Sequence, residues 1–350
     1  MASTSRTLSY DDKVIATREL LHKKGLLTNI YSTATPLMAM MKEAKWKVTE
    51  SGGNMIEVNL ANAKNNTGTG YKTGFEPLNI APQTGSTAAF FPWTYRSWSL
   101  SIGGPEQFKN SGSAKMVDVI SMKEKQLVES ASEEMNAFFL DATNTSAATA
   151  EGNTAPQSLA YFMRKLPTSG TIGLINTAVE TKWRNQYQDG SGWDTIDEFK
   201  TGMNAFLRKV NLGVGKGCDT VLFDPVSYGL LEASMQGQIR YSSTKMAELG
   251  FGNLALSQGV SAFYDCYVPD MNAGTNGGPD TTLSAGTAFF LNSNHIKYYV
   301  GKGFDFKPLP MERLGPQDSK TSLTLLYCQL VPDNLRKLGV VYGLPTAFTA

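Results

Sequence analysis

Residues of the types that bind metals or act as nucleophiles are few in this chain and widely spaced. The cysteines are Cys218, Cys266 and Cys328. Zinc sites built from Cys and His need ligands grouped a few residues apart, and no such grouping occurs. We therefore expect three buried thiols in a reducing compartment, with no metal and no cofactor.

Acid–base chemistry finds little support in the sequence. Of the two histidines, His22 lies among lysines on a short predicted helix, and His295 begins a predicted strand with no GxSxG nucleophile motif nearby. Glu133 and Glu134 are adjacent, so a helix would point them about 100° apart. We expect no catalytic residue, and we expect Glu134 to form a salt bridge to a neighbouring chain.

Two glycine-rich stretches resemble nucleotide-binding loops but fail at the decisive positions. In GVGKG (213–217) the phosphate-loop pattern would require Gly at 210 and Ser or Thr at 217, where the chain has Val210 and Gly217. GTGYKTG (68–74) misses the dinucleotide-binding spacing by one residue. Both stretches are predicted to be ordinary turns.

Composition limits the classes of protein that this chain can belong to. Its 350 residues are 41% hydrophobic, and 32 basic residues balance 31 acidic ones, whereas a sequence-independent nucleic-acid binder carries a basic excess. The N-terminus lacks the apolar stretch of a secretory signal, and no run of about 18 apolar residues could span a membrane. We expect a protein that is cytoplasmic when made. Its low charge favours a surface covered by other chains.

The stretch FFPWTYRSWSLSI (90–102) alternates at period two, as a half-buried strand does, but its register switches near Arg96. The apolar set before the switch is Phe91, Trp93 and Tyr95, and the set after it is Trp98, Leu100 and Ile102. We expect the second set to face the chain's own long helix, near Ile120 and Leu127. The first set is predicted to pack on another chain, with Pro92 marking the point where the strand leaves its own domain.

Residues 51–102 as a whole read as a long β-excursion that runs out through the polar, Gly-rich segment 61–74 and back. A two-stranded hairpin of this kind is marginal on its own in water. Lys64 and Lys72 lie near its tip, where we expect them to contact a neighbouring subunit.

Helical periodicity is clearest over residues 113–141, where an apolar arc faces a charged one. Glu124 falls inside the apolar arc and is predicted to contact another subunit. A mixture of helices and strands follows, including a helix over 195–210. Two strands, 295–310 and 322–332, are predicted to pair near the end of the chain.

This order of elements resembles the major capsid proteins of tailed bacteriophages, which share the Hong Kong 97-type (Johnson) capsid fold of the α+β class. The stretches that carry the resemblance are WTYRSWSLSIGGPEQFKNSGSAKMVDVISMK (93–123), TKWRNQY (181–187), TVLFDPVSYGLLEASM (220–235) and PDNLRKLGVVYGL (332–344). It covers nearly the whole chain and rests on element order and these loose patterns.

The resemblance implies a division of the chain into the four regions of that fold. They are an N-arm (1–48), an extended loop or E-loop (49–103), a peripheral domain (104–167 and 291–335) containing a spine helix (113–141), and an axial domain (168–290 and 336–350).

The resemblance also implies a role and partners. Such chains are not enzymes. They form hexamers and pentamers of an icosahedral shell around double-stranded DNA, in a virion assembled in the host cytoplasm. A separate scaffolding protein and a portal at one vertex are the expected partners, with no membrane; whether a decoration protein binds is left open. One branch of the family cross-links a loop Lys to a neighbour's Asn with help from a Glu, but no pattern around Lys64, Lys72 or Glu124 supports that chemistry.

Two alternatives remain open at this point. An encapsulin-type nanocompartment shell shares the fold but encloses enzymes instead of a genome. A cytoplasmic α/β hydrolase is the more remote alternative, because the two histidines are poorly placed for it.

Overall fold

The structure, a computed structural model, divides the chain into two compact units. The larger consists of residues 35–96, 134–305 and 326–350, and the smaller of residues 1–34, 97–133 and 306–325. The structure describes residues 36–61, 67–68, 74–76, 85–109, 119–141, 155–211, 217–235, 254–256, 259–268, 286–313 and 318–349. The helix predicted around His22 lies outside these residues.

Helices of the described residues fall mostly where helical periodicity predicts them. They are α1 (Pro36–Lys42), α2 (Gly104–Lys109), α3 (Val119–Leu140), α4 (Leu159–Phe162), α5 (Ile196–Val210) and α6 (Pro225–Met235), with a 3-10 turn at Leu335–Lys337. Helix α3 confirms the predicted long helix from Val119 onward. Helix α5 begins at a capping box, in which the Thr195 hydroxyl accepts from the Glu198 N–H and the Glu198 carboxylate accepts from the Thr195 N–H.

The strands are numbered in chain order. They are β1 (Lys47–Glu50), β2 (Met55–Ala61), β3 (Ser86–Pro92), β4 (Thr94–Gly103), β5 (Thr171–Ile172), β6 (Ile175–Asn176), β7 (Gln186–Asp189), β8 (Thr220–Phe223), β9 (Leu254–Leu256), β10 (Val260–Tyr264), β11 (Ala288–Leu291), β12 (Ile296–Gly301), β13 (Lys307–Pro308), β14 (Glu312–Arg313), β15 (Ser319–Pro332) and β16 (Gly339–Tyr342).

One sheet of the larger unit has the strand order β7-β16-β11-β8-β10-β9. Every residue of β8 and β11 is buried, as expected for central strands covered on both faces. Helix α5 packs its apolar stripe on this sheet, and the Phe206 ring meets that of Phe290 edge-on at 4.8 Å. The predicted inward residues Phe199 and Phe206 are buried, whereas Ile196 is exposed in the first turn.

The two terminal strands pair as the sequence predicts. In the larger unit β12 runs antiparallel to the last part of β15, from Ile296↔Pro332 to Val300↔Cys328. On its other side β12 takes β1 in parallel register, with Lys47 opposite Tyr298. Strand β1, near the start of the described residues, is therefore held in the sheet by its pairing with β12, which lies near their end.

In the smaller unit the first part of β15 pairs with β13 and β14, and β4 pairs with the same strand. Leu100 and Ile102 are buried, which confirms the predicted alternation, and Trp98 stacks on Phe306 with 5.7 Å between ring centroids. The Lys123 ammonium bonds the Glu106 carboxylate of α2 at 2.8 Å. Val128 of α3 is exposed although it is apolar.

Candidate assembly surface

Strands β2 and β3 form the root of the predicted excursion. They pair antiparallel from Met55↔Pro92 to Ala61↔Ser86, and Ile56 and Leu60 bury one face, as the alternation predicts. The root therefore belongs to the larger unit as a packed hairpin and is not a free arm.

A second, smaller hairpin supports β3. The Phe90 N–H donates to the carbonyl of Gly173 at 3.1 Å, in the turn between β5 and β6. Gly173 has φ 58°, and a Cβ there would lie 2.9 Å from the Cβ of Ala89 and from the Phe91 ring. Only glycine allows β3 to approach this turn so closely.

Two arginines hold that supporting hairpin in place, and no sequence motif identifies them. The Arg164 guanidinium donates to the carbonyl oxygens of Ser169 and Thr171, and that of Arg184 donates to those of Thr177 and Ala178. The backbone carbonyl oxygens of this hairpin thus accept hydrogen bonds from the two arginine side chains. These arginines do not belong to a recognisable sequence motif.

Phe91 lies in the core of its own chain, against the prediction that it packs on another chain, whereas Trp93 is almost fully buried but lines a cleft described below, so its contact with a neighbouring subunit stays a prediction. Phe91 is 0% exposed and Trp93 4% exposed within this chain alone. The Phe91 ring meets that of Phe162 in α4 edge-on at 6.0 Å. Alternation correctly identified an apolar face, but the chain's own segment after α3 covers it.

The register switch is real and lies at Trp93, between the end of β3 and the start of β4. Gln329 holds the break: its Nε2 donates to the Pro92 carbonyl at 2.8 Å, while its Oε1 accepts from the backbone N–H of Gln157 at 2.9 Å. Strand β3 pairs with β2 and strand β4 pairs with β15. The break therefore marks a change of pairing partner.

Tyr95 does reach the surface, with 52% of its area exposed. Its ring lies edge-on to that of Tyr327 at 4.9 Å, and Tyr327 in turn stacks on Phe304 at 4.3 Å. Its contact with a neighbouring subunit stays a prediction.

The predicted charged contacts have different outcomes. Glu134 forms an ion pair with Arg96 of its own chain, and its predicted salt bridge to a neighbouring chain stays a prediction. The guanidinium carbon of Arg96 also lies 4.5 Å above the centre of the Phe138 ring. Glu124 is exposed, and its predicted contact remains untested, while Lys64 and Lys72 lie outside the described residues.

A cleft of about 230 Å³ opens at the foot of the hairpin. Four aromatic side chains, two charged ones and a glycine-rich turn form its wall. The lining residues are Glu50, Ser51, Gly52, Gly53, Trp93, Tyr95, Gly301, Lys302, Phe304 and Tyr327. All of them belong to the larger unit.

A buried polar network anchors α1 and was missed at the sequence level. The amide of Asn136 in α3 accepts from the Met38 N–H at 3.0 Å and donates to the Asp265 carboxylate at 2.8 Å. Desolvation by burial raises the pKa of Asp265. These three positions are far apart in sequence, so no local pattern could have revealed the network.

Two of the three thiols are buried as predicted, whereas the prediction is wrong for Cys266, which is exposed. Burial raises the pKa of the Cys218 and Cys328 thiols to about 12, so both stay protonated at neutral pH. His295 Nδ1 lies 2.7 Å from a carboxylate oxygen of Asp333. Across the described part of the chain, no three His, Cys, Asp or Glu side chains converge as metal ligands would. None of the helices described there is long and apolar enough to cross a membrane.

Comparison with known proteins gives matches at the level of structure only. No model of a protein family matches the sequence, and no curated protein matches it significantly. The capsid of cyanophage A-1(L) superposes with a TM-score of 0.62 at 17% identity, over 93% of this chain and 98% of that one.

Two further solved structures agree with that match. The holo-SrpI encapsulin complex of Synechococcus elongatus gives a TM-score of 0.58 at 11% identity, covering 96% of this chain and 97% of the other. The capsid of Myoviridae phage XM1 gives 0.54 at 11% identity, covering 93% and 98%. Together with the helix and sheet arrangement described above, these matches show that the chain has the Hong Kong 97-type capsid fold.

Proposed function

We propose that this chain is the major capsid protein of a tailed bacteriophage, a structural protein that assembles into hexamers and pentamers of an icosahedral shell around double-stranded DNA. The observation that carries the proposal is the match to the cyanophage capsid over 93% of this chain and 98% of that one. Because the match spans most of both chains, the capsid fold accounts for most of the residues of this chain.

The surface of the chain supports self-association. Large apolar side chains stand exposed on the described residues, among them Phe75, Tyr95 and Val179, and exposed apolar groups mark interaction sites when they cluster. The near balance of acidic and basic residues suits a wall that encloses DNA without binding it tightly.

The four regions implied by the resemblance remain part of this proposal. The strand order β7-β16-β11-β8-β10-β9 supports an axial domain drawn from 168–290 and 336–350, since only the last residue of β11 falls outside that range. The hairpin β2–β3 supports an E-loop rooted between residues 55 and 92.

The partners and location follow from the same proposal. We expect the protein in the virion, after assembly in the host cytoplasm with a separate scaffolding protein and beside a portal at one vertex. Mass spectrometry of purified particles tests this directly, because the chain should be their most abundant protein. Its absence from nuclease-resistant particles would contradict the proposal.

Electron microscopy of the purified chain tests self-assembly itself. Closed shells tens of nanometres across are expected, formed by the chain alone or with its scaffolding partner. A chain that elutes as a monomer at micromolar concentration in both conditions would contradict the proposal and revive the hydrolase alternative.

An encapsulin-type shell is the second candidate, favoured by the match to the SrpI encapsulin complex. The contents of particles isolated from the cells that make the chain separate the two. Nuclease-protected double-stranded DNA supports the capsid, whereas a smaller particle holding protein cargo and no nucleic acid supports the nanocompartment.

A further inference from the structure

We propose that the cleft at the foot of the β2–β3 hairpin receives the side chain of Phe75 from a second copy of this chain. The inference rests on the proposed function, because it names the receptor for a contact between shell subunits. It is carried by a match between an open aromatic cleft and an exposed aromatic side chain in the same sequence.

The cleft has the chemistry of an aromatic receptor. Its walls are the rings of Trp93, Tyr95, Phe304 and Tyr327, and the last three already form one continuous set of ring contacts. Aromatic rings favour a further ring packed edge-on or offset against them. The cleft volume of about 230 Å³ is of the size that one aromatic side chain fills.

The rim of the cleft is kept open by glycine. Gly52 and Gly53 have φ values of 136° and 114°, and a Cβ on Gly52 would meet nothing within 4 Å. Larger residues are disfavoured at such angles, so the backbone here both makes the turn and leaves the entrance clear.

Phe75 is the most exposed large apolar side chain among the described residues. It is 97% exposed, so it does not occupy the cleft of its own chain. It lies in the connection between β2 and β3, fourteen positions beyond Ala61, and an extended chain of that length reaches up to ~50 Å. That reach is enough to place Phe75 over an adjacent subunit.

Charge complementarity favours the same occupant. Glu76 directly follows Phe75 and is exposed, while Lys302 lies on the wall of the cleft and is also exposed. Inserting Phe75 brings the Glu76 carboxylate toward the Lys302 ammonium of the receiving copy. A lysine or arginine side chain would also suit the rings; Lys302 would repel it but Glu50 on the same wall would attract it, so the choice of Phe75 rests on its exposure and not on charge alone.

Disulfide trapping tests the contact directly. In a Cys266→Ser background, which removes the exposed native thiol, the pair Phe75→Cys and Lys302→Cys should give covalent multimers on oxidation that disappear with reductant. The matched control joins Phe75→Cys to Val179→Cys, because Val179 is exposed and is not part of the cleft. Each single cysteine variant should stay monomeric on the gel.

Oxidation of both assembled shells and the soluble pool separates this inference from the proposed function. Multimers in either pool, with the control pair negative, support the contact. Shells of normal appearance without multimers overturn the inference and leave the capsid proposal intact. Multimers in a soluble pool that never forms shells support the contact but count against the capsid proposal, and multimers in neither pool overturn the inference.

A second measurement uses no cysteine. Because Phe75 is exposed in the single chain, Phe75→Ala should leave the melting temperature unchanged, yet it should raise the concentration needed for shell formation about tenfold or more, as loss of a central aromatic contact does. Tyr95→Ala should act in the same direction. Unchanged assembly in Phe75→Ala overturns the inference and points to a different occupant of the cleft.

Discussion

At the scale of single residues, burial determines how reactive the three cysteine thiols of this chain are. Cys218 and Cys328 are buried with pKa values raised to about 12, whereas Cys266 is exposed. At pH 8 a thiol with such a pKa is ionised in only about one molecule in 10⁴, and the thiolate is the species that reacts. The sequence predicts that all three thiols are buried, because no local pattern shows which of them the fold leaves exposed.

We therefore expect iodoacetamide to modify Cys266 alone in the native protein at pH 8. Modification of Cys218 and Cys328 should be slower by at least about 10²-fold, because both their access and their ionisation are restricted. Peptide mass spectrometry over time measures the three sites separately, and guanidinium chloride provides the control in which all three react. Rapid native modification of Cys328 would contradict its burial.

Asp265 predicts a pH dependence of stability. Burial raises its pKa above the ordinary value of 3.8, so the folded state holds the proton more tightly than the unfolded chain. This group's contribution to the free energy of unfolding is therefore full at low pH and is lost as pH rises from about 3.8 through the raised pKa.

Urea unfolding of the native protein and of Asp265→Asn at several pH values tests that sign. The free energy of unfolding of the native protein minus that of the variant should fall with rising pH across this window and then level off. The opposite slope would mean that the hydrogen bonds from Asn136 and Tyr267 to the carboxylate outweigh its desolvation.

Among the elements, the hairpin β5–β6 and strand β3 depend on each other through one glycine. Gly173→Ala would force an alanine into a left-handed conformation and against Ala89 and Phe91. Together these effects should lower the free energy of unfolding by about 2–4 kcal/mol.

Gly192→Ala is the matched control, because a Cβ at Gly192 would meet nothing within 4 Å. Urea unfolding should place that variant within about 0.5 kcal/mol of the native protein. Equal effects of the two substitutions would show that β3 is not packed on the turn as described.

Among the elements, the periodicity of apolar residues predicted those whose side chains share one face. The strand pair β12–β15 and the helix α5 follow from alternation and helical spacing, because each pattern reflects which side chains share a face. The pattern does not say what covers that face. Alternation therefore does not reveal that Phe162 covers Phe91, and helical spacing does not reveal that Arg96 lies beside Glu134.

At the scale of the whole molecule, the role of the connection between β2 and β3 can be tested while the β2–β3 hairpin is kept. Ala61 and Ser86 face each other in the hairpin register, so replacing residues 62–85 by Asn-Gly should close a two-residue turn without disturbing either strand. We expect a folded subunit with native circular dichroism that forms no closed shells in the electron microscope.

A variant with residues 62–85 intact and Phe75→Tyr is the conservative control, and it should still assemble. Normal shells from the shortened chain would contradict the role proposed for the excursion. An unfolded shortened chain would contradict the hairpin register instead.

At the same scale, the sequence predicted the order of helices and strands better than their packing. Strand β1 lies beside β12, and the buried amide of Asn136 joins the start of α1 to Asp265. Such contacts link positions far apart in sequence, and they depend on the complete fold rather than on a local pattern. Element order is a property of the chain, so it was available without the structure.

The place of β16 has a consequence for protein synthesis. This strand lies between β7 and β11, so the sheet stays open until residue 342 has left the ribosome. At about 5–20 residues per second, that occurs several seconds after β11 has emerged. A chain terminated before residue 339 lacks the strand that joins β7 to the others, and we expect such a chain not to complete this sheet.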